Sequence, residues 1–302
     1  MVKGLIDRAA GVSGAGAWLA KFAYDRARFI ATWNSYLVGL GDGHPKEVQA
    51  VLTAWSHEPH FSGVVGGLFS DLAGAKSSKL ETQLLCGAVV GAVSQADDFI
   101  DEQQLEPGQR VGILNGLFSS LREGKKSDYG APEVAAVGLM CLDIYGRISA
   151  SPSSWRFFEE SENLKDAAIA QTSGNVSLED EIMVGRAFAR SFAVVPYCFN
   201  SGLPERFLEA AGHFGAYADI LDDITDLAHD RAHGIRTAIT VAESPGEIAK
   251  AKAVANRLYQ DCLAVLQPGE RSFYMAMSFL MSAERQIKLI HLARQVEKSQ
   301  SV

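Results

Sequence analysis

Apolar side chains recur every three to four residues along most of the chain, whereas the strict alternation that marks strands is scarce. This spacing is typical of helices with one buried face. It predicts helices over Ala17–Leu40, Lys46–Trp55, Lys79–Glu102, Val111–Leu121, Glu133–Ile148, Trp155–Ala170, Glu179–Phe199 and Leu203–Ala232. Another helix begins at Ser244, and a last helix ends near Lys298. Residues 62–67 are expected to form a loop. An all-α chain of about ten to twelve helices is the simplest interpretation.

Local signals sharpen some of these boundaries. Pro107 is expected to stop the helix before it, and Pro196 should kink or end the helix that contains it. Ser177 and Asp180 resemble a capping box. No repeat, low-complexity linker or shift in composition marks a boundary, so residues 1–302 are expected to form a single domain.

Composition narrows the class of protein. The chain is 47% hydrophobic, as in a globular protein with a sizeable core. Its formal net charge of −8 argues against general nucleic-acid binding and against binding to an anionic membrane surface. Its four cysteines are far apart in apolar contexts, as in a reduced, cytoplasmic protein. The N-terminus lacks the pattern of a secretory signal, and no run of eighteen apolar residues predicts an integral membrane segment.

Five aspartates fall within one predicted helix, and at helical spacing their carboxylates share an arc of about 100°. They are Asp219, Asp222, Asp223, Asp226 and Asp230. A solvated surface helix would explain them, but like charges at i,i+4 each destabilise a helix by roughly 0.2–0.5 kcal/mol. Because Mg²⁺ prefers carboxylate oxygens, divalent cations on this face would remove that cost.

A second acidic cluster ends the helix over 79–102. Asp97, Asp98 and Asp101 follow a stretch from Thr82 to Ala96 without a charge, so these carboxylates should lie where a buried helix reaches an opening. A helix that simply turns polar at the surface is the alternative. Since negative charge at a helix C-terminus opposes the helix dipole, both clusters favour one cation site shared between facing helices.

The two motifs, DDxxD and DDxxDxxxD, resemble those of the class I isoprenoid synthases, which include trans-prenyl diphosphate synthases, terpene cyclases and squalene or phytoene synthases. The resemblance implies an all-α, single-domain helical bundle around a deep apolar cavity. It also implies three Mg²⁺ ions that bind the diphosphate of an allylic prenyl substrate. On this resemblance the expected metal ligands are Asp97, Asp98, Asp101, Asp222, Asp226 and Asp230. The chain is also compatible with a homodimer.

Arginines are expected to assist departure of the diphosphate, because their forked donors suit phosphate oxygens. Arg186 and Arg190 lie one turn apart on the preceding helix, and Arg236 follows the second motif. An exposed surface arginine is the alternative for each. Aromatic faces could stabilise a carbocation by cation–π attraction, although core packing explains them equally well. The candidates are Phe188, Phe192, Tyr197, Phe214 and Tyr217.

Departures from the family pattern favour one reaction over another. Prenyl synthases have an arginine pair shortly after the first motif, but here that stretch is Asp101–Gly108, in which acid and proline replace the pair. We therefore expect a terpene cyclase that ionises farnesyl or geranylgeranyl diphosphate and rearranges the cation. Against this, Asp222, Asp226 and Asp230 differ from the residues usual in the cyclase motif. The alternatives are a chain-elongating or coupling prenyltransferase, and a non-catalytic homologue.

Overall fold

The computed structural model describes residues 2–56, 79–103, 105–127, 130–171, 176–242 and 244–278. The described part of the chain is helical, with no strand. Its helices are α1 Val2–Gly41, α2 Lys46–Ser56, α3 Lys79–Glu102, α4 Pro107–Glu123, α5 Pro132–Ile148, α6 Ser154–Gln171, α7 Leu178–Ala193, α8 Val195–Phe199, α9 Arg206–His233, α10 Pro245–Ala264 and α11 over 268–278. The prediction of an all-α bundle is confirmed.

Most helix bounds agree with the sequence pattern, and α3 agrees at both ends, but α1 begins at Val2 and not at the predicted Ala17. Pro107 differs from expectation, because it begins α4 instead of merely ending α3. Proline is favoured at the first turn of a helix, where its missing N–H costs nothing. The predicted helix is interrupted at Val194, and Pro196 lies in the first turn of the short helix α8. The loop predicted at 62–67 and the end of the last helix lie outside the described residues.

Two glycines bring α7 and α9 into close contact. A Cβ atom added at Gly185 would lie 2.7 Å from Asp219 Cβ and 2.9 Å from Ala216 Cα. A Cβ atom at Gly215 would overlap the Gly185 carbonyl oxygen and Ala189 Cβ. Only a hydrogen at these positions lets the backbones approach this far. This close contact fixes the position of the aspartates of α9 relative to α7.

The helix that organises the site is α7. Both α3 and α9 pack against it, while α3 and α9 make little direct contact with each other. A space therefore opens between the two helices that contain the acidic motifs. Its walls are completed by α4, α5 and α6, which supply buried side chains to the main core.

Within the described residues, one stretch passes the length and hydropathy test for a membrane span. It is Leu178–Phe199, with a mean hydropathy of 1.2 and 56% of it buried inside the structure. A buried core helix passes the same test, and α7 is such a helix. The organisation of residues 1–302 as one domain stays a prediction.

Candidate active site

A cavity of about 430 Å³ lies between α3 and α9. This volume is within the range of roughly 300–1,000 Å³ found for small-molecule sites. Its wall has two parts of different chemistry. The depth is lined chiefly by aliphatic side chains, including Val89, Leu117, Leu121, Ile144 and Leu164.

The mouth is lined by carboxyl groups. Among the described residues nine contribute to the wall, namely Asp97, Asp98, Asp101, Glu181, Asp219, Asp222, Asp223, Asp226 and Asp230. Arg110 and Arg236 are the two arginines of the described wall. All six predicted metal ligands thus lie on one cavity, together with one of the three predicted arginines.

The motifs of α3 and α9 are close enough for their charges to interact. Burial raises the pKa of Asp219 and of Asp230, and charges from α3 add to this effect: the charge of Asp97 acts on Asp219, and that of Asp101 acts on Asp230. The two clusters, more than a hundred residues apart in sequence, therefore form one electrostatic unit. A cation placed between them would be attracted to both helices.

Burial and mutual repulsion hold several of these carboxyls partly protonated. Asp97 opens into the mouth but is surrounded by protein, which raises its pKa to about 7, with Asp101, Asp98 and Glu181 adding repulsion. Burial and the charges of Glu181 and Asp230 raise the pKa of Asp223 to about 8. Such clustering of perturbed carboxyls is typical of functional sites.

Arg110 offsets part of the charge on the α3 side. Its Nη1 atom lies 3.9 Å from Asp101 Oδ1, and its Nε donates to the Leu105 carbonyl at 2.9 Å. Burial raises the pKa of Asp101, while the guanidinium of Arg110 acts to lower it. The arginine is available here because α4 begins at Pro107 and turns Arg110 toward the mouth.

The segment after α9 completes the mouth. Gly234 ends the helix with φ +73°, a left-handed conformation that glycine adopts at little cost, and its N–H bonds to the Asp230 carbonyl. Arg236 and Thr237 follow on the cavity wall. A hydrogen bond from Thr237 acts to lower the pKa of Asp223, against the stronger effect of burial.

Arg186 and Arg190 do not reach this mouth, contrary to the sequence expectation. They line a second depression between α6 and α7, which we call the outer groove, of about 340 Å³. Arg190 Nε donates to Glu160 Oε2 at 2.9 Å, and its Nη2 pairs with the other oxygen of the same carboxylate. Arg186 is exposed. Gly185 contacts α9 on the side of the cavity, whereas Arg186 and Arg190 pass α9 near Gly212, where an added Cβ atom would lie 2.9 Å from Arg186 Cγ.

The aromatic candidates also pack away from the cavity. Phe188 and Phe192 contact each other edge to face, Phe214 packs against Tyr217, and Tyr197 donates its hydroxyl to the Pro204 carbonyl at 2.7 Å. None of the five lines the described wall, whose one aromatic is Phe118. The core-packing interpretation of these aromatics is the one that the structure favours.

Sequence reasoning missed Arg110, Glu181 and His229, all of which line the cavity. Glu181 is 2% exposed and accepts hydrogen bonds from the Ala238 backbone N–H at 2.8 Å and from Gln171 Nε2 at 2.9 Å. A signal did exist for Glu181, since it faces inward from an otherwise amphipathic helix. Glu181 is not distinguished by residue type, because Glu179 and Asp180 beside it are also acids of the first helical turn.

The donor set suits Mg²⁺, a hard cation that prefers carboxylate oxygen. Asp223 Oδ2 is buried without a hydrogen-bond partner, and a cation would compensate for that. As the side chains stand, no three His, Cys, Asp or Glu among the described residues are close enough to hold one ion. Mutual repulsion is a physical reason for that spacing. Three ions per site stays a prediction.

Comparison with known proteins supports the fold. No protein-family model matches the chain, and no curated protein matches its sequence. Solved structures do match, among them a geranylgeranyl pyrophosphate synthetase from the archaeon Geoglobus acetivorans. That match has a TM-score of 0.57 and 12% identity, and it covers 88% of this chain and 99% of the other. The chain therefore has the isoprenoid synthase fold.

Proposed function

We propose that this protein is a Mg²⁺-dependent enzyme that ionises an allylic prenyl diphosphate, and that it acts as a terpene cyclase on a single substrate such as farnesyl or geranylgeranyl diphosphate. One observation supports this most. Two acidic helices line the mouth of one cavity whose depth is apolar. A prenyl diphosphate has the matching division into an anionic head and an apolar tail.

The mouth would hold the diphosphate end. Asp97, Asp98 and Asp101 on one side, with Asp222, Asp226 and Asp230 on the other, would bind Mg²⁺. Bound Mg²⁺ supplies Lewis acidity that stabilises charge developing on the leaving diphosphate. Arg110 and Arg236 would bind diphosphate oxygens directly, since they are the arginines on this wall.

The apolar depth would hold the hydrocarbon chain and exclude water from the cation formed when the carbon–oxygen bond breaks. Ser161 and Ser191 are the buried hydroxyls of this wall, and each donates its proton to a carbonyl of its own helix, at 2.7 Å in both cases. Because those protons are committed, the hydroxyl oxygens are the negative ends of dipoles beside the cavity.

The direct test supplies one substrate at a time. Purified protein with Mg²⁺ and farnesyl or geranylgeranyl diphosphate should release diphosphate and give a hydrocarbon or alcohol, detected by mass analysis. Omitting Mg²⁺ or adding a chelator should stop the reaction. Absence of diphosphate release from all chain lengths would contradict the proposal.

Chain elongation is the second candidate, and Arg110 favours it. Its Nη1 atom lies 3.9 Å from Asp101 of the first motif, and the residue comes just after the stretch Asp101–Gly108, where acid and proline replace an arginine pair. An aliphatic cavity wall also suits a chain that grows without folding into rings. Adding isopentenyl diphosphate separates the two, because elongation requires it and yields a longer prenyl diphosphate.

A non-catalytic homologue is the remaining alternative. Such a protein would give no thermal shift with Mg²⁺ and a bisphosphonate, whereas a ligand at 100 times its Kd stabilises a site by about 2.7 kcal/mol. The four cysteines are free and buried, which agrees with a proposed cytoplasmic location. The homodimer stays a prediction.

A further inference from the structure

Residues 235–242, here called the mouth strap, connect the end of α9 to the start of α10 through a turn. Ile235, Arg236 and Thr237 line the cavity. The strap is therefore the described segment that presents an arginine and a hydroxyl to the mouth from outside the helices. Its position decides where those two groups lie relative to the acidic cluster.

Hydrogen bonds inside the strap make it a compact unit. Thr237 Oγ1 accepts the N–H groups of Ile239 and Thr240, both at 3.2 Å. Thr240 Oγ1 accepts the Thr237 N–H at 2.7 Å and donates to the Thr237 carbonyl at 3.0 Å. Ile239, 2% exposed, packs into a second apolar cluster with Ile220 and Leu258. The position of this compact segment therefore depends on the hydrogen bonds that connect it to the neighbouring helices.

Two side chains anchor the strap, one at each side. Arg231, on the exposed surface of α9, donates to the carbonyls of Thr240 and Ala242 at 3.0 and 2.9 Å. On the cavity side, Glu181 of α7 accepts the Ala238 N–H at 2.8 Å. Ala238 directly follows Arg236 and Thr237, so this bond fixes the part of the strap that reaches the mouth.

Glu181 occupies an electrostatically costly place. It is buried, and its charge interacts with those of Asp97, Asp219 and Asp223. Each of its oxygens already accepts a hydrogen bond, from Ala238 and from Gln171. Those bonds differ from the environment of the motif aspartates, which present carboxylates to the cavity. The two hydrogen bonds of Glu181 are those of a residue that holds a backbone segment in place.

We propose that Glu181 is a positioning residue that fixes the mouth strap, and through it Arg236 and Thr237, against the diphosphate end of the cavity. The proposal rests on the proposed function for its effect on diphosphate. The anchoring itself can be tested without any substrate. The same hydrogen bond serves both tests.

The first test is amide hydrogen exchange of the metal-free protein. Glu181→Ala should speed exchange of the Ala238 amide at least tenfold, because a hydrogen bond to a charged acceptor is lost. Glu181→Gln should keep the amide protected, since its carbonyl oxygen can still accept while Gln171 turns its own amide to match. Glu179→Ala, which removes the same charge from an exposed neighbour, is the matched control and should leave exchange unchanged.

The second test is calorimetric binding of inorganic diphosphate in the presence of Mg²⁺. We expect Glu181→Ala to weaken binding about tenfold, Glu181→Gln to restore it, and Glu181→Ala with Arg236→Ala to be no weaker than Arg236→Ala alone. If Glu181→Gln loses as much as Glu181→Ala in either test, the charge matters and positioning is excluded. Additive losses in the double variant would also overturn the proposal. If the wild-type protein binds no diphosphate, the proposed function fails, and the exchange of Ala238 alone decides the anchoring.

Discussion

The helix pair α6–α7 borders two depressions that treat charge in opposite ways. In the outer groove, Arg190 is matched by the buried Glu160 through two hydrogen bonds. In the cavity, nine carboxyls of the described wall face two arginines. Paired charge is what a fold uses to satisfy its own groups, whereas surplus charge of one sign has to be balanced by something that binds. The difference supports the proposal that the cavity, and not the groove, is the binding site.

The largest effect should come from removing one surplus carboxylate. Asp222→Ala should lower turnover of the prenyl diphosphate about 10²–10³-fold, because several kcal/mol of charge stabilisation depend on the metal that it would hold. The melting temperature should stay the same or rise, since a repulsive charge is gone. Asp166→Ala, an exposed acid of the outer groove, is the control and should change neither quantity. Unfolding of Asp222→Ala would instead make this residue structural.

Breaking the paired charge should have the reverse signature. Arg190→Ala leaves Glu160 buried without its partner, and we expect a loss of about 1–3 kcal/mol in the free energy of unfolding, less than for a fully buried pair. Turnover per folded molecule should be unchanged, because neither residue lines the cavity. Urea denaturation and turnover of the same samples measure both. A large drop in kcat with normal stability would return Arg190 to the active site.

The pH dependence should separate the two regions without a mutation. Asp97 and Asp223 have pKa values raised to about 7 and 8, so without metal the folded protein holds more protons than the unfolded chain between about pH 4 and 8. Stability from these groups is therefore full below pH 4 and is lost as the pH rises through 7 to 8. Thermal melts from pH 5 to 8.5 should show the melting temperature falling by a few degrees.

Mg²⁺ should reverse that trend, because it binds the deprotonated carboxylates and its affinity rises over the same interval. Because a ligand that binds only the folded state stabilises it, the rise in melting temperature with about 10 mM Mg²⁺ should be larger at pH 8.5 than at pH 6. Ca²⁺ at the same ionic strength controls for geometry, and NaCl controls for screening. Equal shifts with all three salts would contradict a specific site.

Sequence reasoning succeeded where residue type and spacing alone decide the outcome. Six aspartates at helical intervals predict two acidic faces, and their cost without cations predicts that they meet. The bounds of α3 follow from the same periodicity. It failed where tertiary packing decides. Arg186 and Arg190 share a helix face, but the contact of Gly185 with α9 determines that this face turns away from the cavity. Glu181 depends on a backbone partner 57 residues later, which no local pattern reveals.

The smallest expected effect is that of Arg186→Ala, and it tests the comparison at its weakest point. Arg186 is exposed and lies on the outer groove, so its removal should change the free energy of unfolding by about 0.5 kcal/mol or less. Arg236→Ala, the matched loss of an arginine at the mouth, should weaken diphosphate binding roughly tenfold or more. If Arg186→Ala and Arg236→Ala weakened diphosphate binding equally in the same experiment, the outer groove and the mouth would be energetically coupled. That result would make the separation of paired and surplus charge an incomplete guide to the site.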